Sequence, residues 1–96
     1  MFLINLTYIK PIEEVEEHFE AHVVFLDRNY TDRTFIFSGR KNPRTGGLIL
    51  ANLATRDEVN AVIRQDPFFQ FQVAEYEIID FQITKYDERF GAFLID

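Results

Sequence analysis

The strongest chemical potential in this 96-residue chain lies in a histidine and an aspartate forty-four positions apart. His22 is one of only two histidines and falls beside a stripe of apolar residues spaced three and four apart: Ile12, Val15, Phe19, Val23 and Leu26. Standing one position from Val23, it takes the edge of that stripe. Asp66 belongs to Gln65-Asp66-Pro67-Phe68-Phe69, a carboxylate at the end of a helical pattern, followed by a proline and two aromatics. A carboxylate bonded to one imidazole nitrogen fixes the tautomer, stabilises the imidazolium and leaves the other nitrogen as a general base. In an apolar pocket the pair suits abstraction of an acidic proton, then β-elimination or isomerisation, with no cofactor. The competing reading is structural: Asp66 ends one helix and caps the next turn, while His22 is a satisfied histidine at the core edge. Helix register decides whether the two meet.

A second set lies between two strands. Arg40, Lys41 and Arg44 place three of the ten basic residues within five positions of an acidic protein. With Gly46 and Gly47, whose backbone N–H groups can approach a ligand, they suit a carboxylate or a phenolate. A solvated hairpin with scattered charge is the alternative. Ser38 is placed to line a pocket but has no nucleophile-elbow context. Phe68 opens the aromatic run Phe68-Phe69-Gln70-Phe71, which reads as core or as the wall of a pocket. His18 and His22 are four apart, a spacing that can chelate a divalent metal. Phe19 follows His18 where a zincin helix carries glutamate, so no metal site is expected.

The elements that must position these groups follow from periodicity. Phe2 to Ile9 alternates as a strand, closed by Lys10-Pro11. Pro11 suits the first position of a helix, and Glu13 and Glu14 suit its first turn. The stripe predicts a single helix running to about Arg28-Asn29. Thr34 to Ser38 reads as a second strand, with Phe35 and Phe37 on one face and Ile36 and Ser38 on the other. Gly39 to Gly47 reads as a hairpin loop, and Leu48 to Ala54 as a third, antiparallel strand. Thr55-Arg56-Asp57-Glu58 has the capping-box pattern and opens a second helix with Val59, Val62 and Ile63 inward. Pro67 stops that helix at Asp66. Phe68 to Val73 makes a short cover, and Ala74 to Lys85 the last strand, with Tyr76 and Ile78 on one face and Ile79, Phe81 and Ile83 on the other.

The order strand, helix, strand, strand, helix, strand is the ferredoxin-like α+β plan: four antiparallel strands with two helices on one face. The strands carry apolar residues on both faces, and 47% of the chain is hydrophobic, with eleven Phe and four Tyr. The uncovered face therefore implies a homodimer. The tail, residues 86–96, adds Tyr86, Phe90, Phe93, Leu94 and Ile95 after the core is complete, and is expected to pack across that dimer, with an extra strand as one form; the alternative is a partly ordered terminus.

Net charge −6 argues against a nucleic-acid partner, because phosphate binding rests on a basic surface. No cysteine means no disulfide and no thiolate chemistry. No apolar run has transmembrane length, and Met1-Phe2-Leu3-Ile4-Asn5 lacks a basic leader. A single-domain, soluble cytoplasmic protein without membrane contact is expected, with its core over about residues 1–85.

Several short motifs, in order, resemble the YciI-like family. They are Glu20-Ala21-His22 with Phe25-Leu26-Asp27, Ser38-Gly39-Arg40 with Pro43-Arg44-Thr45-Gly46-Gly47, Asp66-Pro67-Phe68, and Ala74-Glu75-Tyr76-Glu77-Ile78 with Phe81. The likeness spans roughly residues 1 to 85. It implies a dimeric α+β barrel of ferredoxin-like subunits with an active site at the positions of His22 and Asp66. It also implies the cofactor-free lyase or dehydrochlorinase chemistry that some relatives perform on hydroxylated aromatic substrates, and a barrel shared with muconolactone isomerase-like enzymes. The reading that follows is a lyase or isomerase for a small phenolic or carboxylate-bearing molecule. His22 and Asp66 are catalytic, and Arg40, Arg44, Ser38 and Phe68 contact substrate. The alternative is a non-catalytic dimer that binds a small molecule in the same pocket.

Overall fold

The computed structural model describes residues 1–94. Its elements are β1 (Phe2–Tyr8), α1 (Ile12–Glu16), α2 (Phe19–Thr31), β2 (Phe35–Arg40), β3 (Gly46–Ala51), α3 (Arg56–Ile63), α4 (Pro67–Gln70), β4 (Ala74–Asp80) and a closing 3-10 helix (Glu88–Leu94). The strands form one antiparallel sheet in the order β2-β3-β1-β4. Phe2, Ile4 and Leu6 of β1 and Ile49 of β3 bury one face against Val15, Phe25, Val59, Ile63 and Phe68. This is the ferredoxin-like α+β arrangement, with its core between sheet and helices.

The first helix is broken, where the sequence predicts one continuous run. His18 takes φ −109° and ψ 6°, and its N–H bonds back only three residues, to Val15, so the chain tightens and α2 restarts at Phe19. Val15, His22, Phe25 and Asn29 form the buried line, while Val23 and Leu26 lie on its flank. His22 thus sits at the centre of the stripe rather than at its edge.

A β-bulge in β2 makes the second correction. Phe35 pairs with Ala51 and Phe37 with Leu50, which leaves Ile36 as an extra residue. One added residue reverses the alternation, since side chains have a period of two. Phe35 and Phe37 therefore face opposite ways, and Ser38, opposite Ile49, turns to the helix-covered face.

Both strands of the hairpin extend into the expected loop, so the connection shrinks to residues 41–45. Two glycines allow this. A Cβ at Gly46 would stand 1.9 Å from the Leu6 carbonyl oxygen, and one at Gly47 would stand 2.7 Å from that of Gly39. Their lack of a side chain serves backbone approach between strands.

The last strand ends at Asp80 instead of Lys85. Asp80 pairs with Phe2, the first residue of β1, so the residues beyond have no ladder to join apart from one bond from Phe81 N–H to the Met1 carbonyl. The tail forms a helical turn rather than a strand, with Ala92 and Phe93 flanking a groove beside Tyr30, Phe35 and Asn52. Ile95 lies outside the described residues.

The capping box forms as the sequence predicts: Glu58 N–H bonds to Thr55 Oγ1, and Thr55 N–H to Glu58 Oε1. Two helix ends use Schellman closures with a non-glycine residue in the left-handed region. Arg33 (φ 60°) ends α2, with Thr34 N–H to Asn29 O and Arg33 N–H to Tyr30 O. Gln72 (φ 56°) ends α4, with Val73 N–H to Phe68 O and Gln72 N–H to Phe69 O.

The other sheet face carries no helix. Register aligns Leu3, Phe37, Leu50 and Ile79 across it, next to Asn5, Leu48 and Glu77. Phe37 is 48% exposed. No described helix is long and apolar enough to cross a membrane.

Candidate active site

Asp66 is built into the turn between α3 and α4. Pro67 supplies the first residue of α4 and holds Asp66 extended, at φ −78° and ψ 123°, the geometry of an N-cap. Its Oδ1 accepts the Phe68 N–H at 3.0 Å. The same oxygen lies 2.8 Å from His22 Nδ1. Oδ2 accepts the Tyr76 hydroxyl at 2.5 Å. The carboxylate is fully buried and has three donors around it. A buried carboxylate surrounded in this way is satisfied as an anion.

Because an ionised carboxylate only accepts, His22 donates through Nδ1–H. Neutral His22 then carries its lone pair on Nε2, which has no protein partner among the described residues. The ring is flattened against Phe68, with centroids 4.0 Å apart and planes 7° from parallel. The Asp66-Pro67-Phe68 turn therefore supplies the carboxylate, its orientation and the surface on which the imidazole rests. Both questions that helix register left open are answered: the pair is in contact, and the aspartate also caps a helix.

The open side of His22 lines a cavity of about 160 Å³ between α2 and the start of the β2–β3 hairpin. Apolar walls come from Leu6, Phe19, Val23, Leu26 and Ile49, and polar groups from Tyr8, Ser38 and Arg40. The β-bulge is what turns Ser38 and Arg40 inward. Ser38 Oγ accepts the Tyr30 hydroxyl at 2.6 Å, which leaves the serine's own proton free to donate. The Arg40 guanidinium stands 5.8 Å from the centre of the Phe19 ring, within cation–π range, and has no carboxylate partner among the described residues.

The remaining sequence candidates are placed elsewhere. Arg44 is not on the cavity wall; it approaches Phe19 at 5.6 Å and bonds to Glu16 Oε1 at 3.0 Å. Phe68 is 1% exposed and lies behind the His22 ring. His18 stacks on Phe71 at 4.1 Å, with Phe71 itself exposed. Among the described residues, no three His, Asp or Glu side chains converge in a way that could hold a metal ion.

Sequence reasoning missed Tyr76, Tyr8, Tyr30 and Phe19 as site residues. Burial first, then the adjacent Asp66 carboxylate, push the Tyr76 phenol far above its ordinary range, so it remains a donor. A signal for it existed. Tyr76 was on the apolar face of the last strand, and a tyrosine on a buried face needs a partner for its hydroxyl.

Comparison with known proteins agrees with this architecture. The YCII-related domain family matches residues 1–82. Among solved structures, one similar chain is the 5-chloro-2-hydroxyhydroquinone dehydrochlorinase TftG of Burkholderia phenoliruptrix AC1100, in complex with 2,5-dihydroxybenzoquinone. The TM-score is 0.71 at 15% identity, covering 85% of this chain and 94% of that one. At that identity the likeness speaks for the fold. No curated protein matches the sequence.

Proposed function

The chain belongs to the YCII-related domain family, and from that premise we propose that it is a cofactor-independent lyase or isomerase for a small ring-bearing anion. The observation that carries the proposal is the hydrogen bond between His22 Nδ1 and Asp66 Oδ1 at the wall of an open cavity. His22 Nε2 takes the acidic proton of the substrate as general base. The electron pair of the broken bond forms a new double bond, and a group on the neighbouring carbon departs with its bonding pair. In an isomerisation the imidazolium instead returns the proton to another carbon. Asp66 stays anionic throughout and supports the imidazolium.

Size and charge define the substrate class. Apolar cavities of about 150 Å³ accommodate one benzene ring, so this one suits a single substituted ring. Arg40 supplies positive charge for a carboxylate or phenolate, and Ser38 a hydroxyl donor. A hydroxylated aromatic compound, the type of molecule named for the TftG structure, fits this description. The apolar sheet face of Leu3, Phe37, Leu48 and Ile79 supports a homodimer as the working form.

The test is a turnover screen of hydroxylated aromatics and lactones with the wild-type protein and with His22→Ala. Turnover that disappears in His22→Ala while assembly is kept supports the assignment. Turnover that persists in the variant sinks it. Saturable binding without turnover would favour the alternative, a ligand-binding accessory protein.

A further inference from the structure

Asp66 has two oxygens with unequal company. Oδ1 holds both His22 and the Phe68 N–H, whereas Oδ2 has the Tyr76 hydroxyl alone. Asp66 lies in a turn between short helical segments, but Tyr76 lies in the sheet, paired with Leu6 across the β1–β4 ladder. The Phe69 ring meets the Tyr76 ring edge-on at 5.7 Å. The hydroxyl is thus mounted on the sheet and reaches across to the turn.

We propose that Tyr76 is a positioning residue of the site: it holds the Asp66 carboxylate in the orientation that presents Oδ1 to His22, and so keeps His22 in the tautomer with its free lone pair on Nε2. The inference rests on the reading of His22 and Asp66 as the acid–base pair. Without the hydroxyl, Oδ2 is buried and unpaired, which is unfavourable. The carboxylate relieves that cost by rotating about its Cβ–Cγ bond or by taking up a proton. Rotation divides its oxygens differently between His22 and Phe68. Protonation converts an acceptor into a donor and releases the Nδ1–H. In both cases the imidazole loses its preference between tautomers. Tyr76 suits the task because it does not ionise in the working range: burial and the neighbouring carboxylate keep its proton in place. Other titratable groups nearby are Tyr8 from β1 and Arg40 from β2, which share the cavity with His22, so they must stay constant in the test.

The experiment uses Tyr76→Phe, which keeps the ring and removes only the hydroxyl, and reads the His22 imidazole by ¹⁵N and ¹H nuclear magnetic resonance at a pH where the ring is neutral. The wild-type ring is expected to show one tautomer, with a hydrogen-bonded Nδ1–H proton far downfield. In Tyr76→Phe that proton resonance is expected to be lost, and the two ring nitrogen shifts to move towards each other. Asp66→Asn is the reference. A spectrum unchanged in Tyr76→Phe but altered in Asp66→Asn overturns the positioning role and leaves the acid–base pair standing. A spectrum unchanged in both overturns the pair itself. If Tyr76→Phe fails to fold, the wild-type Tyr76 Cζ shift replaces it: displacement by Asp66→Asn supports the bond, and no displacement overturns the proposal.

Discussion

Oδ1 of Asp66 receives His22 Nδ1–H at 2.8 Å and Phe68 N–H at 3.0 Å, so one oxygen atom starts a helix and orients the histidine. Substitutions at Asp66 therefore act on stability and on the site together. The two effects separate because asparagine is as good an N-cap as aspartate. Asp66→Ala loses the cap and leaves three donors without their acceptor, and is expected to cost about 3 kcal/mol. Asp66→Asn is expected to cost less, yet to impair catalysis to a similar degree. Urea denaturation of both variants checks this, and equal losses of stability would contradict the division.

Alkaline stability should depend on Tyr76. Its pKa is raised in the folded state by burial and by the Asp66 carboxylate, so the unfolded chain gives up this proton first. The contribution to stability is then complete below the ordinary phenol value of 10.0 and declines as pH rises above it. Unfolding midpoints measured from about pH 8 to pH 11 are expected to fall more steeply for wild type than for Tyr76→Phe. Parallel curves would show that the folded phenol ionises normally.

Arg40 and Arg44 are expected to behave differently despite their shared contact with Phe19. Arg40 lines the cavity, and charge-assisted hydrogen bonds contribute about 1.5–3 kcal/mol. Arg40→Gln should weaken binding of an anionic ring compound roughly 10- to 100-fold. Arg44 is committed to Glu16 in a partly exposed pair of the sort that contributes about 0–1 kcal/mol. Arg44→Gln should leave affinity within about two- to three-fold of wild type. Calorimetric titration compares them, and equal effects would remove Arg40 from its anchoring role.

Gln72 offers a gain in stability away from the chemistry. Its φ of 56° is costly for a residue with a Cβ and free for glycine. Gln72→Gly should stabilise the protein by about 0.5–1 kcal/mol, as the helix-end penalty exceeds the added chain entropy. A lower thermal midpoint would indicate that the Gln72 side chain makes a contribution of its own.

The uncovered sheet face should be the dimer contact. Leu48→Lys places a charge on that face, opposite Asn5 and Gly39 and beside the row of Leu3, Phe37 and Leu50, without entering the core between sheet and helices. Sedimentation is expected to give twice the chain mass of 11.4 kDa for wild type and the single mass for the variant. Identical masses for the two would exclude this face as the contact.

The architecture was legible because element order and the capping box are local signals, although the helix opened by that box ends at Ile63, before the expected stop at Asp66, which caps the next helix instead. The pairing of His22 with Asp66 was legible only as a possibility, since it depends on the rotation of α2. The buried line runs through Val15, His22, Phe25 and Asn29 instead of the stripe of Val15, Phe19, Val23 and Leu26. Phase errors of this kind are invisible to a stripe of apolar residues that tolerates either setting, with Val23 and Leu26 as apolar as Val15 and Phe25. The bulge at Ile36 was hidden for a related reason: Phe35, Ile36 and Phe37 are all hydrophobic, so alternation could not reveal which one was surplus. Tyr76 was placed on the correct face, but its partner lay in a turn whose position only tertiary packing defines.

Ile36 also acts as a parity switch for the protein. Every residue of β2 after it points where it does because one residue is out of step. Pairing Ile36 with Leu50 in the ordinary way would make the two sides of the strand trade places: Phe37 would come opposite Ile49 and fill the cavity, and Ser38 and Arg40 would be carried to the opposite surface. Deleting Ile36 would do the reverse, since Phe35, Phe37 and Ser38 already oppose Ala51, Leu50 and Ile49 and would keep their faces on a regular ladder. The polar, charged recess and the apolar face proposed as the subunit contact are therefore tied together through the pairing of one strand.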